Sequence, residues 1–498
     1  MNQNLRQQMA HGAVWMLLFK FFDKGIGLLS TLILARLLTP DNFGIVAMAM
    51  SFIMLLELMG AFGFDMALIQ RPGATREHYD TAWTFNVILG AIIALLMLLC
   101  SGVVADFYKE PNLALVIRVL AISPLVQGFG NIGVVAFRKE MEFYKEFKFL
   151  LSKRLITFPV TIGLALLFRS YWALVVGTVS GRVLELWISY RVHPYRPKLT
   201  LTATHDLMHF SKWLLVLNVL GYFKERASDI VIGRMGGAQS LGLFNVTYEL
   251  ANMPGTELVA PINRAVYPAY AKIANDQVAL RSEYLSVMGM ITLIAVPAVA
   301  GLASTAKLII PLALGSNWLD AVPILQLLAL FGITQVMQSN AYALCLASGR
   351  AKLYALIQTI HVVLLISLLI VCMRWRGVGG AAFAYLITAV VMLPMTFAII
   401  LKMLNIPVLE FFSVIYRPLI AATTMFLVVM ASIHEVGVNA PFPMLISCLL
   451  GAIILGVTVY VGMIISLWRM KGRPSGAESA VLSRIHPILD NVRGRFGC

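Results

Sequence analysis

The chain has 498 residues, 59% of them hydrophobic and 13% charged, with a mean hydropathy of +0.83. A soluble domain averages roughly 45–50% apolar and about 25% charged residues, and a single soluble core stops growing at ~250–300 residues. Soluble globular, disordered, coiled-coil, collagenous and secreted disulfide-rich classes are thereby excluded, and the net charge of +15 has to be read beside a membrane.

A bilayer crossing takes about 20 mostly apolar residues. After a polar start, Met1 to His11, apolar stretches predict membrane helices at 11–37, 42–68, 81–105, 114–137, 149–168 and 170–190. A second set follows at 211–233, 241–270, 285–312, 319–347, 352–373 and 378–402, and two more at 414–434 and 443–468. Runs such as Val87 to Val104 are continuously apolar, without the alternation of a barrel strand. The first span is too long for a signal peptide and lacks its small-residue cleavage site. The expected fold is an all-α polytopic membrane protein of about 14 transmembrane helices, with two pseudo-symmetric six-helix lobes at 1–200 and 201–405. Two extra helices occupy 406–468, and a basic tail follows over 469–498.

Charge sets the orientation. The loops on the side of Met1 carry Arg71, Arg76, Arg138, Lys139, Arg191, Lys198, Arg281 and Lys402 among others, joined by the tail's arginines and lysines. The opposite loops carry only Lys109, Arg169, Arg234, Lys307, Arg374 and Arg376. The positive-inside rule then places both termini in the cytoplasm, where a basic tail meets anionic lipid and needs no nucleic acid. Five cysteines (Cys100, Cys345, Cys372, Cys448 and Cys498) show neither disulfide nor metal spacing, and no cofactor is expected.

The organisation repeats. Arg36 and Gly44 of the first lobe align with Arg234 and Gly242 of the second at one offset, and Leu120-Ala121 with Gln127 is echoed by Leu328-Ala329 with Gln335. Duplicated lobes of this kind enclose a site near the bilayer midplane, which is transporter architecture.

Charges within the spans point to that site. Lys20, Asp23 and Lys24 share one face of the first span, and Lys224, Glu225, Arg226 and Asp229 lie at similar depth in the seventh. A charge at a helix centre costs at least ~2.5–3.5 kcal/mol, so such residues face a bundle interior or a wet cavity. Glu57, Asp65, Arg118, Glu249, Glu257 and Arg264 are further candidates, whereas Lys153, Arg154, Arg182 and Glu185 read as snorkelling residues near span ends. The plainer alternative is ion pairs that only hold helices together.

Three patterns are discounted. Gly128-Phe129-Gly130-Asn131-Ile132-Gly133 matches a dinucleotide fingerprint but sits in an apolar span, where glycines let helices approach. His205 and His209 lie one turn apart without a third metal ligand, and Asn245-Val246-Thr247 is a sequon inside a span. Pro124, Pro261, Pro268 and Pro297 are candidate helix breaks.

The segment Ile33-Leu34-Ala35-Arg36-Leu37-Leu38-Thr39-Pro40-Asp41-Asn42-Phe43-Gly44 resembles the signature of the polysaccharide transporter, or Wzx-like flippase, family. So do Ala67-Leu68-Ile69-Gln70-Arg71, Ala105-Asp106-Phe107-Tyr108-Lys109-Glu110-Pro111 and Trp172-Ala173-Leu174-Val175. The likeness is closest to the colanic-acid-exporter-like branch and strongest over the first 200 residues.

The resemblance implies a member of the multidrug/oligosaccharidyl-lipid/polysaccharide exporter superfamily, a bacterial inner-membrane flippase and not an enzyme. Its substrate would be a polyprenyl-pyrophosphate-linked oligosaccharide, its surroundings membrane lipid, and its candidate protein partners the polymerase and glycosyltransferases of the same pathway. Lys20, Lys24, Arg118, Lys224, Arg226 and Arg264 are the cationic candidates for the anionic head group, and Asp23, Asp229 and Glu249 for ion coupling. A peptidoglycan-precursor flippase or multidrug antiporter of the same superfamily is the alternative reading. A membrane glycan polymerase or ligase would need a larger outward loop than any seen here.

Overall fold

The computed structural model describes residues 3–58, 64–71, 73–204, 212–437, 440–474 and 476–479, and among these there is no strand. His205, His209 and the tail beyond residue 479 lie outside the described residues.

The helices are α1 (Gln3–Leu37), α2 (Pro40–Glu57), α3 (Phe64–Gln70), α4 (Arg76–Tyr108), α5 (Pro111–Leu120), α6 (Ile122–Gly128), α7 (Val135–Lys139), α8 (Phe143–Phe168) and α9 (Trp172–Val192). After them come α10 (Lys212–Pro254), a π-helical turn (Gly255–Val259), α11 (Ala260–Lys272), α12 (Gln277–Ser304), α13 (Ala306–Ala313), α14 (Ala321–Ala347), α15 (Ala351–Leu404), α16 (Val408–Ser432) and α17 (Phe442–Met470).

Local chemistry sets these boundaries. Pro40 and Pro111 open α2 and α5 at first-turn positions, where the missing N–H costs nothing. Thr75 and His78 form a reciprocal cap on α4, and the Asp276 carboxylate accepts from the Val278 and Ala279 amides to start α12. Asn405 (φ 51°) ends α15 in the left-handed conformation.

Ten of the described helices are long and apolar enough to cross a membrane. Two of the longest helices bend sharply: α10 at Gly237 (φ 74°, ψ −176°) and α15 at Arg376-Gly377, where Gly377 has φ 57°. A residue with a Cβ is strained at these values, so each glycine turns one helical run into two. With the kinks counted, every span read from the sequence falls on helix, although those at 42–68, 114–137, 241–270 and 285–312 are each divided among two or more helical segments. The charged α1 and the first half of α10 fall outside the ten because mid-helix charges depress their hydropathy. Pro124 lies just past the α5–α6 junction and Pro261 just past the π-turn, whereas Pro268 and Pro297 are absorbed inside α11 and α12.

Two compact units divide the chain, residues 1–242 and 243–498. In the first, α8 packs along both α1 and α9, and α4 along α5 and α6. Glycines set those spacings. A Cβ on Gly90 would fall 2.4 Å from the Pro124 carbonyl oxygen, and one on Gly128 2.5 Å from that of Asn86. The apparent dinucleotide motif is thus a close α4–α6 crossing.

A reciprocal crossing involves the repeat-related glycines. A Cβ on Gly44 would lie 1.7 Å from the Ala238 carbonyl oxygen, and one on Gly242 1.8 Å from the Pro40 carbonyl oxygen. Pro40 and Ala238 are separated in sequence by the same spacing as Gly44 and Gly242. The two helix starts therefore interlock symmetrically, backbone against backbone, and the echo in the sequence records that contact.

The segment after α9 straps back onto α4 and α6. Asn131 Nδ2 donates to the carbonyls of His193 (3.0 Å) and Tyr195 (2.9 Å), and Tyr195 Oη donates to Asp80 Oδ1 (2.7 Å). The Lys198, Thr200 and Ala203 amides donate to Asp80, Thr84 and Thr81 respectively.

In the second unit α12 packs against α14 and α16, α14 against α15, and α16 against α17. Tyr270, Tyr284, Met288 and Phe411 anchor its core. Asn340 Nδ2 donates to the Tyr270 hydroxyl at 2.9 Å, which meets the rule that buried polar groups find partners.

Candidate substrate site

The principal ionic cluster of the first unit lies on α1, α2, α8 and α9. Asp23 Oδ1 on α1 meets Arg154 Nε on α8 at 3.2 Å. Lys153, the neighbour of Arg154, places its ammonium 2.6 Å from Glu185 Oε1 on α9, and Arg182 Nη1 donates to the other oxygen of Glu185 at 3.1 Å. Arg182 is also within electrostatic reach of Glu57 on α2.

Small residues make this convergence possible. Gly177 and Gly181, four apart on α9, face Thr161 and Thr157 of α8, where added Cβ atoms would come within 3.0 and 2.9 Å of those threonines. That spacing is the small-xxx-small pattern that lets membrane helices approach closely. On α1, a Cβ at Gly27 would sit 2.9 Å from Arg154 Nη2, so the glycine makes room for the guanidinium.

Lys20 and Lys24 occupy the same face of α1 as Asp23, and both side chains are exposed. Around them the cluster holds Lys153, Arg154 and Arg182 against Asp23, Glu57 and Glu185, five cations for three carboxylates. Lys153, Arg154, Arg182 and Glu185, read from the sequence as snorkelling residues, lie midway along α8 and α9 and are paired with one another or with Asp23.

A second group surrounds Asp229 on α10. Arg226 Nη1 donates to Asp229 Oδ2 at 2.9 Å, with the carboxylate nearly inaccessible and the arginine half-buried. Beside it the Ser51 and Tyr108 hydroxyls lie 3.1 Å apart, and Tyr222 Oη donates to the Ser51 carbonyl at 2.9 Å. Gly233 leaves space for the Tyr108 ring, which a Cβ there would approach to 2.8 Å. The Lys224 and Asp65 side chains lie outside the described residues.

The other candidates have their own surroundings. Arg118 donates to Ser101 Oγ on α4 at 3.1 Å. Glu249, Glu257 and Arg264 belong to the second unit and are exposed. Glu257 accepts from Thr256 Oγ1 (3.0 Å) within the π-turn, a geometry that recurs at functional sites. Asn263 there donates to Ser339 Oγ at 3.1 Å, a contact across α11 and α14 that no sequence signal announced.

A polytopic helical membrane protein with ionic groups paired between its helices is the class this fold and site define. Residues 33–323 match the family described as polysaccharide biosynthesis protein, and the chain belongs to that family. It is 25% identical over 407 residues to the lipopolysaccharide biosynthesis protein WzxC of Escherichia coli (strain K12), covering 80% of this chain and 82% of that one. It is 24% identical over 319 residues to the succinoglycan biosynthesis transport protein ExoT of Rhizobium meliloti (strain 1021), covering 64% of each. The fold matches a solved structure of the lipid II flippase MurJ in an inward closed conformation, with a TM-score of 0.73 at 14% identity over 93% of this chain and all of that one.

Proposed function

We propose that the chain flips a polyprenyl-pyrophosphate-linked oligosaccharide, an O-antigen or exopolysaccharide repeat unit, from the cytoplasmic to the periplasmic leaflet of a bacterial inner membrane. Alternating access moves the substrate and an ion gradient drives it. Family membership and relatives named for lipopolysaccharide biosynthesis and succinoglycan transport support this reading over the peptidoglycan-precursor and multidrug alternatives.

The observation that carries the mechanism is the cationic excess on α1, α8 and α9. Lys20 and Lys24 are exposed at the centre of a membrane helix, where contact with hydrocarbon is costly, so they line a wet path. A pyrophosphate crossing the membrane needs such charge and multiple donors, which lysine and arginine supply. Lys20, Lys24 and Arg226 are the head-group ligands, with Lys224, Arg118 and Arg264 as further contacts along the route. Asp23 and Asp229, each held by an arginine, are the coupling carboxylates: protonation frees the arginine for phosphate, and deprotonation recaptures it. Glu249 is the third candidate. Both termini lie in the cytoplasm, beside the polymerase and glycosyltransferases of the pathway.

Replacing Lys24 and Arg226 together by glutamine tests the head-group assignment. Export should fall about tenfold or more, the effect of losing one charge-assisted contact of ~1.5–3 kcal/mol. Unchanged export would remove both residues. The D23N/D229N variant should lose its response to a collapsed proton or sodium gradient; an unaltered response would exclude these carboxylates.

A further inference from the structure

A buried ion pair lies in the second unit, between residues assigned no part in transport. Arg417, nine residues into α16, is 6% exposed, and Glu478 in the segment beyond α17 is 5% exposed. Nη1 of the arginine stands 3.2 Å from Oε1 of the glutamate. The contact lacks hydrogen-bond geometry, and among the described residues neither Nε nor Nη1 of Arg417, nor Oε1 of Glu478, has a hydrogen-bond partner. A guanidinium offers five donors in a fixed fork that matches a phosphate better than one askew carboxylate oxygen.

The pair borders a cavity of about 160 Å³ whose wall includes Ser413, Tyr416 and Lys471. A second cavity of about 630 Å³ shares those three residues and continues along Pro407, Leu409 and Phe412. One compartment is charged and its neighbour is mainly apolar, with exposed Leu409 and Phe412 on the rim and the lining carboxylate of Glu410 paired with Arg281. Lys471 and Arg417 both approach the Tyr416 ring, at 5.9 and 5.8 Å from its centroid, so one aromatic side chain is shared by the two cations. Trp468 ties the turn after α17 by donating to the Pro474 carbonyl at 3.1 Å, a belt residue at the end of an apolar helix.

We propose that this pair of cavities is a binding site for an anionic phospholipid, with the phosphate at Arg417 and Lys471, an acyl chain in the apolar compartment, and Glu478 as the chain's own competing occupant. The adjoining apolar compartment favours a lipid over a free phosphate ion. When lipid enters, the phosphate replaces the Glu478 carboxylate on Arg417 and the segment at 476–479 is released.

The test uses the full chain purified in detergent with equal amounts of phosphatidylglycerol and phosphatidylcholine, and native mass spectrometry to count retained lipid. The wild type should retain phosphatidylglycerol preferentially, E478Q should retain several-fold more, and R417Q should fall to the phosphatidylcholine level, with R417K between. E478Q keeps the test decisive if R417Q fails to fold. Equal or lower retention by E478Q, or undiminished retention by R417Q, would overturn the site. Complete displacement by inorganic phosphate would overturn the lipid assignment in favour of a free anion.

Discussion

At the residue scale, glycine and charge divide the work. Gly44 and Gly242 exist because a backbone carbonyl occupies the space of a Cβ, and rigid backbone cannot yield as a side chain can. G44A or G242A should therefore destabilise the protein by about 1–3 kcal/mol or more, seen as an earlier loss of the monodisperse peak on heating in detergent. G25A is the control, since nothing lies within 4 Å of its added Cβ. G27A is intermediate, because it meets the movable end of Arg154. An equal effect at Gly25 and Gly44 would contradict the packing argument. The repeat echo of Arg36-Gly44 in Arg234-Gly242 was legible in the sequence because close approach tolerates a single residue type. The pairing of Lys153 with Glu185 and of Arg154 with Asp23 was not, since each joins residues on different helices. The Arg417–Glu478 contact was equally hidden, since it joins distant positions with no shared period.

Helices and their connections follow the same economy of small residues and paired polar groups. The α8–α9 crossing depends on Gly177 and Gly181, so G181L should push the helices apart and separate Lys153 from Glu185. Export would fall while the protein still reached the membrane; full export would show that the cluster does not need that spacing. The strap from His193 to Thr204 is the connection between the two lobes read from the sequence, and it is hydrogen-bonded along α4. N131A removes the donor to two of its carbonyls, those of His193 and Tyr195. It should raise amide exchange at Lys198, Thr200 and Ala203.

The same strap carries a pH signature. Burial holds the His193 imidazole below its ordinary pKa of 6.5. Its unfolded form then binds more protons at pH values below about 6.5, so stability rises with pH through that window and is lost as pH falls. Protection of the strap amides, corrected for intrinsic exchange, should drop between pH 7.5 and 5.5; a constant value would mean His193 does not contribute. None of these bonds was visible in the sequence, where 191–210 read only as a polar join.

Across the whole molecule, composition alone fixed the all-helical membrane class, because no other fold satisfies backbone polar groups over so many apolar spans. Two pairs of spans read separately from the sequence share single long helices, since Gly237 and Gly377 bend those helices without ending them. Function was legible chiefly through the Arg36-to-Gly44 signature, and the charges of Lys20 and Lys24 within the first span supplied the candidate site. The central claim is that this chain moves a lipid-linked glycan between leaflets. The direct measurement is the leaflet position of polyprenyl-pyrophosphate oligosaccharide in a strain lacking the gene, read by a membrane-impermeant glycosidase on spheroplasts. The account predicts accumulated glycan-lipid that the enzyme cannot reach. Accumulated glycan-lipid open to the enzyme would contradict it, because translocation would then proceed without this protein.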